Sequence, residues 1–218
     1  MVDPKILKYR NVTISGLPGA GSSILGEYLS KVLGWQWFSG GDFMREYAIK
    51  KGLFNKAKSV HHAATVYDDD FDRKVDYGMR QTLTDDSGKI LESWLSGFVA
   101  QQVPGVLKVL VHCSNDDIRV DRLVNRDKIS IEEAKKHIFD RQKQNLDKWT
   151  RMYQKEWVSW VDSDKQNHRL DKYLHFFHPS LYDLVINTYS HDRKQTLNLV
   201  LKKLGYKKTL IKWSESFY

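Results

Sequence analysis

The segment from Asn11 to Ser23 reads NVTISGLPGAGSS, a short apolar run followed by a glycine-rich turn and paired serines. This order predicts a buried strand, a tight loop and the start of a helix, which is the layout of a phosphate-binding P-loop. Glycines permit positive φ angles, so successive backbone N–H groups can converge on one anion near the positive end of the helix. An ordinary glycine-rich turn between a strand and a helix is the alternative that this segment alone leaves open.

The P-loop pattern G-x-x-x-x-G-K-[ST] fits the segment at every defined position except one. Gly16 and Gly21 take the glycine positions, and Ser23 takes the hydroxyl position that would meet Mg²⁺. Ser22 stands where a lysine usually adds a point charge on the β- and γ-phosphates, so either another cation reaches them or catalysis is weak. The predicted ATP-binding residues are Gly16, Pro18, Gly19, Ala20, Gly21, Ser22 and Ser23.

The composition is that of a globular protein with one domain or two small ones. The 218 residues carry a net charge of +8, which suits nucleotides and would also suit RNA. We find no apolar run of transmembrane length and no signal peptide, and the lone Cys113 excludes an internal disulfide and a cysteine-rich zinc site. We therefore expect a cytoplasmic protein with anionic ligands and no membrane partner.

Apolar patterning alternates along the chain between strand-like and helix-like segments. The predicted strands span about residues 12–15, 35–39, 89–94, 106–113 and 183–188. The predicted helices span about residues 22–33, 43–50, 71–83, 116–125, 131–153 and 195–204. The fifth helix has a capping-box signal at Ser130 and Glu133. This alternation is typical of an α/β protein with a parallel sheet, helices on both faces and ligands at the carboxyl ends of the strands.

Six segments match, in order and spacing, motifs of the nucleoside monophosphate kinases. They are VTISG from Val12, FSGGDFMR from Phe38, DRKVD from Asp72, LESWLSG from Leu91, the stretch from Arg141 to Tyr153, and LYDLVINT from Leu181. Over roughly residues 11–205 the chain most closely resembles the compact archaeal type of cytidylate kinase.

The resemblance implies an α/β, P-loop NTPase-like three-layer sandwich with about five parallel strands, plus lid and acceptor-binding helical segments. It implies a single kinase-like domain over residues 1–218, expected to be a monomer. The core would comprise about residues 9–39, 87–135 and 180–206, the acceptor-binding segment about 40–86, and the lid about 136–179. The polar stretch 141–178 is expected to be a mobile cover or an insertion outside the core.

The resemblance also implies an acceptor site. In the family, the arginine matching Arg45 binds the acceptor phosphate, whereas Trp94 stands where a second phosphate-binding arginine is usual, and a tryptophan there could stack on a base. Asp72 and Asp76 share a helix face and could accept hydrogen bonds from a cytosine amino group. Each of these residues could instead be an ordinary solvated side chain. The predicted acceptor-binding residues are Asp42, Arg45, Asp72, Asp76, Arg80 and Trp94, with Arg80 as a possible substitute for the missing arginine.

Lid cations close over the phosphates in the family, and the resemblance places Arg141, Lys148 and Arg151 in this catalytic role. A solvated basic helix face is the alternative, chiefly for Lys148 and Arg151. The pairs His61-His62 and His175/His178 lack a carboxylate-flanked metal spacing, so a metal site there is not expected.

These observations predict ATP-dependent phosphoryl transfer to a nucleoside monophosphate, with CMP or dCMP as acceptor, ATP as phosphate donor and Mg²⁺ held with it by Ser23. The residues at positions 22 and 94 leave two alternatives open. One is a catalytically weak or inactive nucleotide-binding protein, possibly associated with RNA, and the other is a kinase for another small acceptor.

Overall fold

The computed structural model describes residues 1–52, 67–162, 164, 169–170 and 173–207, with the backbone alone at 169–170. Its strands are β1 (Asn11–Gly16), β2 (Gln36–Ser39), β3 (Lys89–Glu92), β4 (Val106–His112), β5 (Arg169–Leu170), β6 (Tyr173–Leu174) and β7 (Leu184–Asn187). Five of them form a parallel sheet in the order β2-β3-β1-β4-β7, while β5 and β6 form a separate antiparallel pair. This parallel sheet confirms the predicted fold class.

Helices pack against the sheet and extend beyond it. They are α1 (Ser22–Leu33), α2 (Gly40–Lys50), α3 (Asp69–Asp85), α4 (Ser96–Val99), α5 (Asp116–Asp127), α6 (Ile131–Lys135), α7 (Arg141–Met152), α8 (Gln154–Trp160) and α9 (Arg193–Leu204). A π-helical segment, Lys136–Asp140, joins α6 to α7, so the predicted long helix exists with a wider turn in its middle. The sequence did not indicate α4, α8 or the β5–β6 pair, which are short or interrupted by polar residues.

Helix ends follow the capping residues that the sequence places there. Gly34 ends α1 with φ +68°, a conformation that glycine adopts without strain. The capping box predicted at Ser130 is present, and Asp192 forms a second one with Gln195 at the start of α9. These caps satisfy backbone N–H groups that each helix start would otherwise leave without an acceptor.

Two apolar clusters cover the opposite faces of the sheet. The first lies between the sheet and the helices α1 and α9, and its fully buried members include Ile14, Leu29 and Val200. The second lies on the side of α3, α4, α7 and α8, with Phe98 fully buried at its centre. Burial of both sheet faces explains the near-continuous apolar sequence of the central strands.

The expectation that residues 141–178 lie outside the core is wrong for much of this stretch. Trp157, Tyr153 and Phe176 are buried, and each of their rings lies within 6 Å of the Phe98 ring (5.9, 5.7 and 4.9 Å between centroids). The polar residues of the stretch hid this aromatic face, because α7 and α8 alternate buried rings with exposed charges. The segment is therefore part of the second apolar cluster.

Candidate functional site

One cleft of about 1400 Å³ opens at the carboxyl ends of β1, β2 and β3. It exceeds the roughly 300–1,000 Å³ of a typical single-ligand pocket, so it has room for two ligands. We call its two parts the P-loop end, lined by residues 16–23, Arg122, Arg126 and residues 188–194, and the distal end. The distal end is lined by Arg45, Asp72, Asp76, Trp94 and Arg141.

The P-loop follows β1 and adopts the glycine-dependent shape that the sequence predicts. Gly19 and Gly21 have φ angles of +79° and +97°. A Cβ at Gly19 would also lie 2.8 Å from the carbonyl oxygen of Arg119, which leaves no space for a side chain. Both glycines are therefore required by the backbone geometry of the loop.

Side chains of α5 and of the residue after β7 donate hydrogen bonds to carbonyl oxygens of the P-loop. Arg119 Nε donates to the Pro18 oxygen at 3.1 Å, and Arg122 Nη1 donates to the Gly19 oxygen at 2.9 Å. Thr188 Oγ1 donates to the Ala20 oxygen, also at 2.9 Å. The Ala20 N–H donates to the Leu17 oxygen at 3.0 Å within the loop. With the carbonyls turned toward α5 and the end of β7, other N–H groups of the loop can face the cleft, as an anion site requires.

Helix α1 begins without a side-chain cap, as does α7, which continues directly from the π-helical segment. Helices α2, α3, α5, α6 and α9 each begin with a side chain that accepts a hydrogen bond from the helix backbone. Helix α1 begins after Gly21, which has no side chain and provides no such cap. The first N–H groups of α1 are thus available to an anion together with the helix dipole.

Ser22, at the position of the P-loop lysine, points into a buried polar cluster. Its hydroxyl donates to Glu92 Oε1 at 2.9 Å, and both residues are buried. Burial raises the pKa of the Glu92 carboxyl, while hydrogen bonds from Ser22, Ser39 and Ser23 oppose that rise. Neutral hydroxyls therefore surround the carboxylate where a lysine would supply a counter-charge.

Glu92 is a site residue that the sequence analysis missed. It ends β3, and the strand register places it beside Ser39 of β2 and Ile14 of β1. A charged residue that closes an apolar strand at its carboxyl end was the available signal, because that edge is where ligands of parallel sheets bind.

Two arginines of α5, Arg122 and Arg126, were missed as well. Arg122 bridges the Gly19 oxygen and Thr188, and Arg126 forms two hydrogen bonds of 2.7 Å with Asp127. These bonds raise the pKa of Arg126, and the charges of Asp42 and Glu92 raise it further. Their spacing of four on one helix that follows a buried strand was the signal that could have found them.

At the distal end, Arg45 projects from the second turn of α2. Its Nη1 forms an ion pair of 2.7 Å with Asp42, whose own backbone N–H is capped by Ser39. Both Arg45 and Asp42 line the cleft, in keeping with their predicted place near an acceptor. The pairing across one helical turn fixes the guanidinium near the opening of the cleft.

Arg141 begins α7, and its guanidinium carbon lies 5.4 Å from the centre of the Trp94 ring. Trp94 meets Trp149 edge-on, with the ring centres 5.4 Å apart. Burial lowers the pKa of Arg141 to about 10, and the charge of Arg45 acts in the same direction. The structure thus brings Arg45, Trp94 and Arg141 together on one wall.

The other two predicted lid cations lie in ion pairs with α3. Lys148 Nζ is 2.7 Å from Asp72 Oδ2 and donates to the Tyr67 carbonyl oxygen at 2.8 Å, in a buried position. Arg151 is exposed and pairs with Asp69 at 2.6 Å. These contacts connect α7 to α3, and neither cation is among the residues that line the cleft.

Asp76 lies one turn beyond Asp72 and also lines the cleft. Tyr153 donates a hydrogen bond to its Oδ2. Burial raises the pKa of Asp76 to about 7, against the opposing effect of the Tyr153 hydrogen bond. The two aspartates predicted to share a helix face therefore have different partners, a lysine for Asp72 and a tyrosine for Asp76.

Arg80 faces away from this wall. Its Nη1 donates to the carbonyl oxygens of Val99 and Gln101 at 2.6 and 2.9 Å, and its guanidinium lies over the Trp160 ring. Its hydrogen bonds join α3 to the end of α4. The guanidinium is not among the groups that line the cleft.

Candidate metal ligands can be assessed only among the described residues. Within the described residues, no group of three or more His, Cys, Asp or Glu side chains could hold a metal ion. His175 and His178 lie close together, with ring centres 5.7 Å apart, whereas His61 and His62 lie outside the described residues.

In the same described ranges, no helix is both long and apolar enough to cross a membrane.

A strand, a glycine-rich loop and a helix at the carboxyl edge of a five-stranded parallel sheet, facing a wall with Arg45 and Arg141 across one cleft, define a P-loop kinase fold. The model of the cytidylate kinase-like family matches residues 11–190, and the chain belongs to that family.

Individual relatives are similar over most of their length. A cytidylate kinase of Methanothrix thermoacetophila is 30% identical over 190 residues, covering 87% of this chain and 95% of the relative. A cytidylate kinase of Methanosarcina barkeri is 26% identical over 190 residues, with coverages of 87% and 93%. The chain therefore spans nearly the full length of these relatives.

Solved structures support the fold alone. An uncharacterized protein from Eubacterium ventriosum has a TM-score of 0.59 at 12% identity, covering 91% of this chain and 99% of that one. A gluconokinase from Sinorhizobium meliloti has a TM-score of 0.52 at 10% identity, with coverages of 91% and 93%.

Proposed function

We propose that this protein transfers the γ-phosphoryl group of ATP to a nucleoside monophosphate, with CMP or dCMP as the acceptor. The observation that carries the proposal is the continuity of the cleft, which joins an uncapped P-loop helix to a wall containing Arg45 and Arg141. In-line transfer requires the two phosphates to meet between such sites. The names of the archaeal relatives support cytidine as the base.

At the P-loop end, the N–H groups at the start of α1 bind the donor phosphates. The hydroxyl of Ser23 and the carboxylate of Glu92 are oxygen ligands of the kind that Mg²⁺ prefers, so these residues fit a metal held with ATP. Mg²⁺, when bound, neutralises charge on the β- and γ-phosphates. The remaining steps depend on this chain's own residues.

At the distal end, Arg45 binds the acceptor phosphate with the planar fork of its guanidinium. Asp72 and Asp76 accept hydrogen bonds from the exocyclic amino group of cytosine, which distinguishes it from uracil. Arg141 adds a second positive charge close to Arg45. The mechanism needs no strong general base, because positioning and charge stabilisation supply most of the catalysis of phosphoryl transfer.

The test is ADP formation from Mg·ATP with CMP, dCMP, UMP, AMP and GMP. We expect turnover with CMP or dCMP, and a fall in kcat/KM of roughly 100-fold or more in Arg45→Ala, since charge-assisted hydrogen bonds are each worth ~1.5–3 kcal/mol. Lys50→Ala, an exposed cation of the same helix, is the matched control and should leave turnover unchanged. Retained ATP binding without turnover for any of the five acceptors would refute the proposal.

A further inference from the structure

Arg141 is a half-buried cation that has no carboxylate partner among the described residues. Its Nε is fully buried and has no hydrogen-bond acceptor, and among the described residues no carboxylate forms an ion pair with it. Its nearest described interaction is with the face of Trp94. Buried charged groups are ordinarily paired, so an unpaired guanidinium in a cleft indicates that its partner is a ligand.

A second cation stands close to the first. Arg45 lines the same cleft, near enough for its charge to disfavour the charged form of Arg141. The nearby carboxylates are engaged elsewhere, since Asp42 pairs with Arg45 and Asp72 pairs with Lys148, and among the described residues neither forms an ion pair with Arg141. An anion that contacts both guanidiniums would remove the repulsion, and a phosphate monoester matches their planar donors.

Trp94 fixes the orientation of Arg141. The ring is anchored edge-on by Trp149, and the guanidinium lies over its face. A guanidinium over an aromatic ring can still donate through its terminal Nη groups to oxygen atoms. A tryptophan at this position therefore supports a cation that comes from a different element.

We propose that Arg141, held over the face of Trp94, binds the acceptor phosphate together with Arg45. A cation of α7 thereby replaces the arginine that the sequence motif leads us to expect at the position of Trp94, and Trp94 acts as a positioning residue. The inference rests on the proposed function for the identity of the acceptor. It differs from a role for Arg141 at the transferring phosphoryl group, because it predicts an effect on acceptor binding before any chemistry.

The first experiment compares the binding of CMP and cytidine, which differ only in the phosphate. In Arg141→Ala we expect CMP affinity to fall about 10- to 100-fold, with cytidine and ATP affinities within roughly threefold of wild type. Lys143→Ala, an exposed cation of the same helix, should change none of these affinities. Loss of kcat in Arg141→Ala with unchanged CMP affinity would overturn the proposal.

A rescue experiment tests the replacement directly. Trp94→Ala should weaken CMP binding less than Arg141→Ala does, and Trp94→Phe should retain most of it, because a flat ring still supports the guanidinium. Trp94→Arg introduced into Arg141→Ala should recover at least tenfold of the lost CMP affinity. A double variant as weak as Arg141→Ala would contradict the idea that the two positions supply the same charge.

Inorganic phosphate separates this inference from the proposed function. Its binding is followed by ³¹P NMR in the presence of Mg·ADP, which keeps the P-loop end occupied. We expect weak binding to wild type, and at least tenfold weaker binding to both Arg45→Ala and Arg141→Ala. This result would support the paired arginine site even if no nucleoside monophosphate were turned over. Equal binding by wild type and Arg141→Ala, or no binding by wild type, would overturn it.

Discussion

Each end of the cleft lacks one cation that the sequence motifs lead us to expect, and the two ends differ in what stands in its place. At the P-loop end, Ser22 stands at the lysine position, and Glu92 lies among hydroxyl groups with no lysine beside it in the part of the chain that the structure describes. At the distal end, Trp94 replaces an arginine, and Arg141 lies over its ring close to Arg45. If Arg141 binds the acceptor phosphate as proposed, a charge absent from one element is supplied by another element that a flat side chain supports.

The walls of the two ends are also built differently. Backbone oxygens of the P-loop are held by Arg119, Arg122 and Thr188, whereas the distal wall is held by ion pairs between side chains of α3 and α7. Backbone contacts restrict the loop itself, whereas side-chain pairs connect two helices. Single substitutions should therefore affect stability more at the distal wall than at the P-loop end.

The largest effect is expected for Lys148→Met. Removing the buried ammonium leaves the Asp72 carboxylate without its cation, and Oδ1 of Asp72 already lacks a hydrogen-bond donor. We expect a loss of roughly 3–5 kcal/mol in the free energy of unfolding, measured in urea at pH 8. The exposed Lys143→Met of the same helix is the control, and Lys148→Met/Asp72→Asn should recover part of the loss. A loss below about 1 kcal/mol would show that this pair does not hold the wall.

The pH dependence of stability is the next largest effect. The pKa of Asp76 is about 7, far above the ordinary value of an aspartate, so between about pH 4 and 7 the folded protein retains a proton that the unfolded chain releases. The stability from this group is complete below about pH 4 and is lost as the pH rises through 7. Asp76→Asn cannot ionise, so its unfolding free energy should exceed that of wild type at pH 8 by up to roughly 4 kcal/mol, at ~1.4 kcal/mol per pKa unit.

The measurement is urea unfolding of wild type and Asp76→Asn at pH 5 and pH 8. The difference between the two proteins isolates Asp76 from other carboxyls that titrate in the same range. Asp70→Asn, an exposed carboxyl of the same helix, should show almost no change in that difference between the two pH values. The assignment fails if Asp76→Asn gains nothing at pH 8 relative to pH 5.

At the P-loop end, Ser22→Lys tests whether the lost charge limits turnover. A lysine there would pair with Glu92 and reach the terminal phosphates, so we expect kcat with Mg·ATP to rise about tenfold, equivalent to ~1.4 kcal/mol of transition-state stabilisation. Ser22→Met has a similar side-chain length without the charge and should give no rise. An unchanged kcat in Ser22→Lys would show that another group already supplies the positive charge at the P-loop end, as we propose that Arg141 does at the distal end.

The sequence predicted the features that depend on local order. The strands alternate with helices, Gly19 and Gly21 mark the loop, and Ser130 starts a capping box, so each could be recognised within a few residues. Contacts between elements that are far apart in the sequence could not be predicted in this way. The burial of Lys148 against Asp72 depends on how α7 packs on α3, and no spacing within α7 reveals it.

Glu92 illustrates the same limit at the P-loop end. The predicted strand extended to residue 94, whereas β3 ends at Glu92, and the contact of Glu92 with Ser22 depends on the order of the strands and on their register. Arg141 was identified through its motif, whereas Trp94 was predicted only as an acceptor-binding residue that could stack on a base, and its contact with Arg141 was not foreseen. The fold was thus more predictable than the pairing of charges, because pairing requires knowing which distant side chains meet.

The smallest effect is expected for Arg151→Ala. Arg151 is on the same helix as Lys148 and also pairs with α3, yet its side chain is 67% exposed, against 7% for Lys148. Water screens the charge of an exposed pair, so we expect a loss of only about 0.2–1 kcal/mol in unfolding free energy, decreasing further at 1 M salt. Turnover should stay close to that of wild type, because Arg151 is not among the residues that line the cleft. A loss in kcat of tenfold or more, with unfolding free energy unchanged, would instead support the lid role that the sequence predicts for Arg151, with α7 moving when substrates bind.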